Sequence, residues 1–161
     1  MKPIEYWIKE LQLADHPEGG YYKETYRSSE TVINRNGVER SASTGIYILN
    51  TSDNFSAFHK IESDEMWHYH AGSALSVYVI KEDGDLEVLK IGNNIEEGEQ
   101  LQGVVLAGCW FASKVERKDS YSLVGCTVSP GFDFQDFVLA DRKRLTEKFP
   151  EHKDIIEELT R

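Results

Sequence analysis

Apolar and polar positions alternate with two different periods along the chain, and the helical period occurs at its two ends. Near the amino terminus, four apolar residues follow the i, i+3, i+4, i+7 spacing of one helix face: Ile4, Trp7, Ile8 and Leu11. This spacing predicts a short amphipathic helix over about residues 3–14. We expect it to end before Pro17, because the residue preceding a proline is forced out of the α region.

Between about residues 20 and 140 the chain consists of short runs rich in Val, Ile, Tyr, Phe and Thr, separated by polar breaks. The runs predict strands at Tyr21–Ser28, Ser41–Asn50, Phe55–Ile61, Met66–His70, Ala74–Lys81, Leu86–Ile91, Gly103–Leu106, Cys109–Val115 and Tyr121–Val128. Asp83-Gly84 and Asn36-Gly37 predict hairpin turns, because glycine accepts the positive φ that such turns require. Polar flanks place the second turn in an exposed loop.

Helical spacing returns after residue 140, with an interruption at Pro150. The apolar positions in this charged background are Leu145, Phe149, Ile155, Ile156 and Leu159. They predict two short helices over about residues 141–160, which lie over the outside of the β structure. Many short strands with helices confined to the ends predict an all-β jelly-roll or barrel. We expect a single domain over residues 1–161, with the barrel over about residues 20–140.

The charge balance narrows the class of partner, since 18 basic residues face 28 acidic ones and the formal net charge is −10. Such a chain repels phosphate backbones, so we expect no nucleic-acid partner. Apolar runs are too short for a membrane helix, and the first residues lack the apolar core of a signal peptide, so we expect a cytoplasmic protein without a membrane partner. Cys109 and Cys126 lie in apolar runs and are expected to be buried, reduced thiols.

Histidines cluster around the predicted strand Met66–His70. Residues two apart in a strand point to the same face, so His68 and His70 are expected to project together. His59, at the end of the preceding strand, could join them through antiparallel pairing. Neutral imidazole binds metals and titrates near neutral pH, so the cluster suits metal binding or proton transfer. The alternative is that these are half-buried strand residues with ordinary hydrogen-bond partners.

Several motifs resemble those of the cupin superfamily. MWHYHAG (residues 66–72) resembles the first cupin motif, and GVVLAGCWF (residues 103–111) resembles the second. HPEGGYY (16–22), ETYRS (24–28), SDEMWHYHAG (63–72) and VGCTVSPGFDF (124–134) resemble the "cupin 5" branch, with matches from about residue 11 to 140. The resemblance implies a double-stranded β-helix, or jelly-roll barrel, with a small-molecule pocket. It also implies a homodimer, which would cover exposed strand edges.

The chain departs from the motifs of metal-dependent cupins. Ala74 or Leu75 stands where those proteins carry a glutamate, Phe111 replaces the second-motif histidine, and Leu106 replaces a proline. The remaining candidate ligands are His68 and His70, with His59 as a stand-in. Two imidazoles underfill a divalent ion, which usually takes three or four protein ligands. A divalent metal therefore stays open as a cofactor, with an incomplete ligand set.

Other side chains are candidates for the pocket lining. The HPEGG turn is expected to place Glu18 at the barrel mouth, followed by Tyr22 and Glu24, although a plain helix stop and turn explains it equally well. Arg27 is a candidate clamp for a carboxylate or phosphate, with an ordinary surface arginine as the alternative. Aromatic residues are candidate stacking walls, with plain core packing as the alternative: Trp67, Tyr78, Trp110 and Phe132, with Tyr47 and Phe134 beside them.

Three functions follow from this set of residues. An isomerase or epimerase acting on a sugar-like molecule would use His59 or His68 as the base and Glu65 or Asp64 to orient it. Tyr47 or Tyr78 would be the acid on the opposite face. A binding module would hold a small ligand in the same pocket without turnover. A metal-dependent oxygenase or isomerase would use the three histidines with a carboxylate such as Glu65.

Overall fold

Short strands make up most of the protein, and helices lie at its two ends. The computed structural model describes residues 1–17 and 19–161. The helices are α1 (Ile4–Glu10), α2 (Arg142–Lys148) and α3 (Lys153–Glu158). The strands are β1 (Ala14–Asp15), β2 (Tyr21–Arg27), β3 (Thr31–Ile33), β4 (Glu39–Ser41), β5 (Thr44–Thr51), β6 (Phe55–Lys60), β7 (Asp64–Gly72), β8 (Leu75–Ile80), β9 (Leu86–Ile91), β10 (Gln102–Val105), β11 (Trp110–Val115), β12 (Tyr121–Ser129) and β13 (Val138–Leu139).

Two antiparallel sheets form the body of the molecule. One has six strands in the order β1-β2-β5-β12-β7-β10, and the other has five in the order β13-β6-β11-β8-β9. Strands β3 and β4 form a separate hairpin. Neighbours along the chain repeatedly lie in opposite sheets, as in a double-stranded β-helix. The predicted all-β jelly-roll class is therefore confirmed.

The main core lies between the two sheets and comes from alternate residues of facing strands. From the five-stranded sheet it includes Leu75, Val77, Val79, Leu89, Ile91 and Phe111. From the six-stranded sheet it includes Trp67, Val105, Val124, Cys126 and Val128. We call these faces the inner faces. Cys109 and Cys126 are both buried and free, as predicted.

The terminal helices cover the outer faces of the sheets. Helix α1 places Ile4, Trp7 and Leu11 against Leu49 and Leu123 of the six-stranded sheet. Helices α2 and α3 bury a second set of apolar residues against the outer face of the five-stranded sheet: Leu145, Phe149, Ile156 and Leu159 with Phe58, Ile80 and Ala112. This confirms the prediction that the helices lie outside, and the interruption at Pro150 is a 3-10 turn.

The predicted end of the first helix is wrong. Helix α1 ends at Glu10 and not near residue 14, because the chain turns at Gln12, which has a φ of 55°. Ala14 and Asp15 then form a strand that pairs with β2. The hairpin turn predicted at Asn36-Gly37 is present, because this exposed segment joins the paired strands β3 and β4. Asn34 Oδ1 accepts hydrogen bonds from the main-chain N–H groups of Asn36 and Val38 in that turn.

Candidate functional site

Strand β7 sends two sets of side chains to opposite faces of its sheet. Glu65 and Trp67 are 9% and 3% exposed, and they point to the inner face. His68 and His70 point to the outer face, because side chains alternate along a strand. The prediction that this pair of imidazoles projects into the barrel is therefore wrong. Trp67 has more apolar surface to bury than either histidine, so it takes the inner face. The alternating histidines are thereby directed to the outer face.

The outer-face histidines contact neighbouring strands of the same sheet. His68 Nε2 lies 3.0 Å from Thr127 Oγ1, and Gln102 Nε2 lies 3.3 Å from His68 Nδ1. The His70 ring meets the Tyr47 ring edge to face at 5.5 Å, over Gly125. Partial burial, followed by the proximity of His68, lowers the pKa of His70 below its usual value. At neutral pH His70 is therefore an uncharged ring in an aromatic contact.

His59 lies on the other sheet and faces inward. Its ring contacts Phe111 and Phe137, with centroid distances of 4.1 and 5.1 Å. Its Nδ1 lies 2.7 Å from the carbonyl oxygen of Ala57, which can only accept, so Nδ1 carries the proton. His59 is thus separated from His68 and His70 by the six-stranded sheet, and the three imidazoles do not converge.

The residues present do not fit the metal site of a metal-dependent cupin. Among residues 1–17 and 19–161, no three side chains of the His, Cys, Asp and Glu types lie close enough to hold one ion. Phe111, at the second-motif position, fills the interior with an aromatic ring that meets Trp67 edge to face at 6.3 Å. An apolar contact therefore stands where the resemblance implies a ligand.

A cavity of about 60 Å³ lies between the inner faces. Its walls include Ile46 and Ile48 of β5, and its polar lining includes Asn50, Trp67 and Ser113. These three side chains are 7%, 3% and 1% exposed. Asn50 Nδ2, Trp67 Nε1 and Ser113 Oγ have no hydrogen-bond partner among the described residues. Three residues that line one small interior space thus each carry an unpaired polar atom, and buried polar atoms are normally paired.

The HPEGG turn forms part of the cavity wall. His16 and Gly19 line the cavity, and the His16 ring meets Tyr22 edge to face at 5.0 Å. The turn is held by a hydrogen bond from the Gly19 N–H to the His16 carbonyl oxygen and by one from the His16 N–H to the Gly20 carbonyl oxygen. Gly19 has a φ of 99°, which favours glycine at this position. Glu18 lies outside the described residues.

Glu65 is a carboxyl group within the apolar core. Val105 and Val128 stand directly opposite it on the two flanking strands. Burial raises the pKa of Glu65 to about 7, against a smaller opposing effect of the Cys126 thiol. The same burial, followed by the nearby carboxyl group, raises the pKa of Cys126 well above its usual value. Cys126 is therefore a protonated thiol at neutral pH, while Glu65 can exchange a proton there.

Of the remaining candidates, Glu24 and Arg27 on β2 lie at the protein surface, whereas Phe132 is partly buried. Arg27 donates two hydrogen bonds to Glu24, at 2.8 and 3.0 Å, and one to the carbonyl oxygen of Phe132 at 3.0 Å. The Arg27 guanidinium group, predicted to bind an anion, is therefore hydrogen-bonded to groups of its own chain. Phe132 packs against the main core and meets Phe134 edge to face at 5.1 Å.

Three predicted pocket residues lie on outer faces instead. Tyr47 contacts His70 outside the six-stranded sheet. Tyr78 and Trp110 pack outside the five-stranded sheet, against the cluster that the carboxy-terminal helices cover. Burial, followed by a hydrogen bond donated to Glu116, raises the pKa of Tyr78 to about 12. The structure therefore brings neither tyrosine to the inner cavity as an acid.

A second, more open concavity of about 730 Å³ lies beside helix α1. Trp7, Tyr69 and His70 contribute to its walls, together with charged groups of both signs, such as Lys90 and Glu99. We call it the open groove. It is large enough for a nucleotide-sized molecule.

The sequence reasoning missed Asn50, Ser56 and Ser113 as cavity residues. Ser56 also lines the cavity, and Ser113 stands between Phe111 and Val115 at inward positions of β11. A polar residue at an inward position of an otherwise apolar strand was the available signal. Reading that signal requires the strand's inward face to be known.

The two facing sheets and the cavity between them define a double-stranded β-helix of the cupin class. The Cupin_5 family model, described as "Cupin superfamily (DUF985)", matches residues 5–140, and the chain belongs to this family. A protein of Saccharomyces cerevisiae, "Uncharacterized protein YML079W", is 35% identical over 147 residues, which cover 83% of this chain and 73% of the yeast protein.

Solved structures agree with this assignment. A hypothetical protein from Leishmania major has a TM-score of 0.94 and 40% identity, with 99% of each chain covered. Protein SO0799 from Shewanella oneidensis has a TM-score of 0.89 and 38% identity, and the match covers 100% of this chain and 99% of that one. Oxalate decarboxylase from Bacillus subtilis is similar in fold alone, with a TM-score of 0.57 and 14% identity over 90% of this chain and 36% of that chain.

No helix among the described residues is long and apolar enough to cross a membrane.

Proposed function

We propose that this protein binds a small polar molecule in the cavity between its sheets, and that Trp67, Asn50 and Ser113 hold it there. The observation that carries the proposal is the set of three unpaired, buried polar atoms at one cavity. Leaving a buried donor or acceptor unpaired costs about 1–3 kcal/mol per group. A ligand that pairs all three meets that need at once and releases the water that would otherwise fill the cavity.

The cavity also has the composition of a ligand site. Apolar surface makes up the larger part of its wall, with Ile46, Ile48 and Phe55 among the lining side chains, and polar side chains supply the rest. Such a site orients a ligand by hydrogen bonds and excludes water by its walls. The outer-face histidines play no part in this proposal, because they lie on the other side of the sheet.

An isomerase is the second candidate, and Glu65 is the observation that favours it. Its pKa of about 7 suits a general base at neutral pH, and it shares the inner face of β7 with Trp67. His59 also faces inward. Tyr47 and Tyr78, however, lie on outer faces, so an epimerase would need a different acid. Proton exchange between a bound keto compound and deuterated water, lost in Glu65→Gln, would support turnover.

The three tryptophans provide a direct test, because each reports on a different place. Trp67 lines the inner cavity, Trp7 lines the open groove, and Trp110 lies on the outer face of the five-stranded sheet. In ¹⁵N-labelled protein each gives one indole N–H signal, and Trp67→Phe assigns the signal of the cavity. A library of small polar molecules is then screened for signal shifts.

The proposal expects at least one library member to shift the Trp67 signal while the Trp110 signal stays in place. Ser113→Ala should weaken that response, whereas Thr146→Val should not. Thr146 also has a buried hydroxyl without a partner, but it lies in α2, outside the cavity lining. Ligands that shift only Trp7 would assign binding to the open groove and overturn the proposal.

A further inference from the structure

The polar lining of the inner cavity also indicates the class of ligand. We infer that the ligand is a short-chain carboxylate, held by Trp67 Nε1, Asn50 Nδ2 and Ser113 Oγ, an inference that rests on the proposed binding function. The alternative occupants are uncharged polar molecules of the same size and sugar-sized molecules, and the structure distinguishes them by donor type and by volume.

The unpaired atoms call for a ligand that accepts hydrogen bonds. An indole N–H can only donate, an amide NH₂ group donates, and a serine hydroxyl donates as readily as it accepts. A polyol brings as many donors as acceptors, and among these three atoms only the Ser113 hydroxyl could accept from its O–H groups. A carboxylate brings acceptors alone, so both of its oxygens can be paired by this set.

A negative charge strengthens the same contacts. Hydrogen bonds from N–H or O–H groups to a carboxylate are shorter and roughly twice as strong as those to a neutral oxygen. This matters within walls formed by Ile46, Ile48 and Phe55, because a charge in an apolar site needs several hydrogen bonds to offset its lost hydration. Three donors at one cavity meet that need for a carboxylate, whereas a neutral oxygen would need only one or two.

The volume sets the length of the ligand. A buried water needs about 10–15 Å³ of cavity volume. The cavity of about 60 Å³ therefore holds roughly four to six non-hydrogen atoms of that size. Acetate, glycolate and pyruvate lie in this range. A hexose or a sugar nucleotide exceeds it, so a sugar-like substrate would have to bind in the open groove instead.

The experiment uses the intact chain and compares matched probes by the Trp67 indole signal. Sodium acetate, glycolate and pyruvate are titrated beside acetamide, which has nearly the shape of acetate without its charge. Glucose is the sugar-sized probe. We expect saturable shifts of the Trp67 signal with at least one carboxylate and much weaker shifts with acetamide or glucose.

Variants then test the three donors. Ser113→Ala should raise the Kd of the bound carboxylate about tenfold, the loss expected for one charge-assisted hydrogen bond. Asn50→Asp should abolish binding by placing a like charge at the site. Thr146→Val should leave the Kd unchanged, and unshifted Trp7 and Trp110 signals establish that each variant is folded.

The outcomes separate the ligand class from the proposed function. Equal binding of acetamide and acetate, or a Trp67 shift with glucose, would overturn the carboxylate assignment and leave the cavity as a binding site. Binding of acetate that is unchanged in Ser113→Ala would overturn the donor assignment. If no carboxylate shifts Trp67, the inference is lost, and the proposed function falls as well only when the whole library leaves that signal in place.

Discussion

Glu65 and Val128 stand directly opposite each other on β7 and β12, with both side chains on the inner face. Folding therefore moves a carboxyl group from water into an apolar core and raises its pKa from 4.5 to about 7. Between these values the unfolded chain has lost the proton while the folded protein keeps it. The free energy of unfolding should consequently fall as the pH rises from about 4.5 to 7 and level off above 7, a loss of about 3 kcal/mol. Urea unfolding at a series of pH values measures this slope.

The variant Glu65→Gln removes the titration and should flatten that part of the profile. It should be more stable than the wild type at pH 8, where the wild type carries a buried charge. Glu62→Gln is the matched control. Arg35 lowers the pKa of Glu62, so the stability that this carboxylate contributes is lost only as the pH falls. An unchanged slope in Glu65→Gln would contradict the assignment of the near-neutral titration to Glu65.

The position of the histidines predicts which variants leave ligand binding intact. His68→Ala with His70→Ala should not change the affinity of any ligand that shifts the Trp67 indole signal, because both rings lie on the outer face. Trp67, the residue just before His68, lines the cavity from the inner face. Titration of the double variant beside the wild type measures the difference. A large loss of affinity would place the imidazoles in the site after all.

Added divalent metal should act at the same outer face. His68 and His70 are two imidazoles on one side of a strand, so Zn²⁺ should bind them weakly and perturb their ring signals. The Trp67 indole signal should not move, since no described group of three ligands lies near it. Zn²⁺ titration followed by NMR gives both readouts, and His59→Ala is the control that should leave the response unchanged. A shift of Trp67 that disappears in His59→Ala would indicate an inner metal site instead.

The longer strands could be predicted from the sequence, but the short strands β1, β3 and β13 and the direction of each strand's faces could not. The run Met66–His70 is part of β7, as the alternation predicts. The same alternation fits two arrangements, with either Trp67 or His68 pointing inward. Shifting the strand by one residue exchanges the two, because every side chain then moves to the opposite face. The HxH resemblance favoured the histidines, whereas burial of the indole ring favours Trp67.

The cavity residues were harder to predict for a related reason. Asn50 and Ser113 come from β5 and β11, which lie in different sheets, so only the packing of the sheets brings them together. The HPEGG motif was expected at the mouth of a pocket around the histidines, whereas His16 and Gly19 line the cavity between the sheets. The outward direction of Tyr78 and Trp110 depends on α2 and α3 covering that face, which the helical pattern alone does not reveal.

Two glycines offer a test of the local packing around β12. A Cβ at Gly72 would lie 2.3 Å from the main-chain oxygen of Tyr121, and the φ of Gly72 is 90°. A Cβ at Gly125 would meet the His70 Nε2 at 2.7 Å, but this ring stands on the outer face and can turn toward solvent. Gly72→Ala should therefore destabilise the fold by roughly 2–3 kcal/mol, and Gly125→Ala by less than about 1 kcal/mol.

Thermal and urea unfolding of the two glycine variants measure this contrast. The double change Gly125→Ala with His70→Ala should recover any small loss, because the contacting ring has been removed. Equal destabilisation by the two single variants would mean that His70 is as fixed as main-chain atoms, which contradicts its placement on an accessible face.

The edge strand β10 predicts where a second copy of the chain would pack. Val104 of β10 pairs with Met66 of β7, and the two side chains are 43% and 38% exposed on the outer face. Exposed Leu101 and Leu106 flank them, so an open strand edge and an apolar surface coincide.

If the homodimer implied by the cupin resemblance forms here, Val104→Lys should shift sedimentation from dimer to monomer. Val88→Lys is the matched control, because Val88 is 41% exposed on β9, the edge strand of the other sheet. A monomeric wild type, or a dimer broken only by Val88→Lys, would contradict this interface.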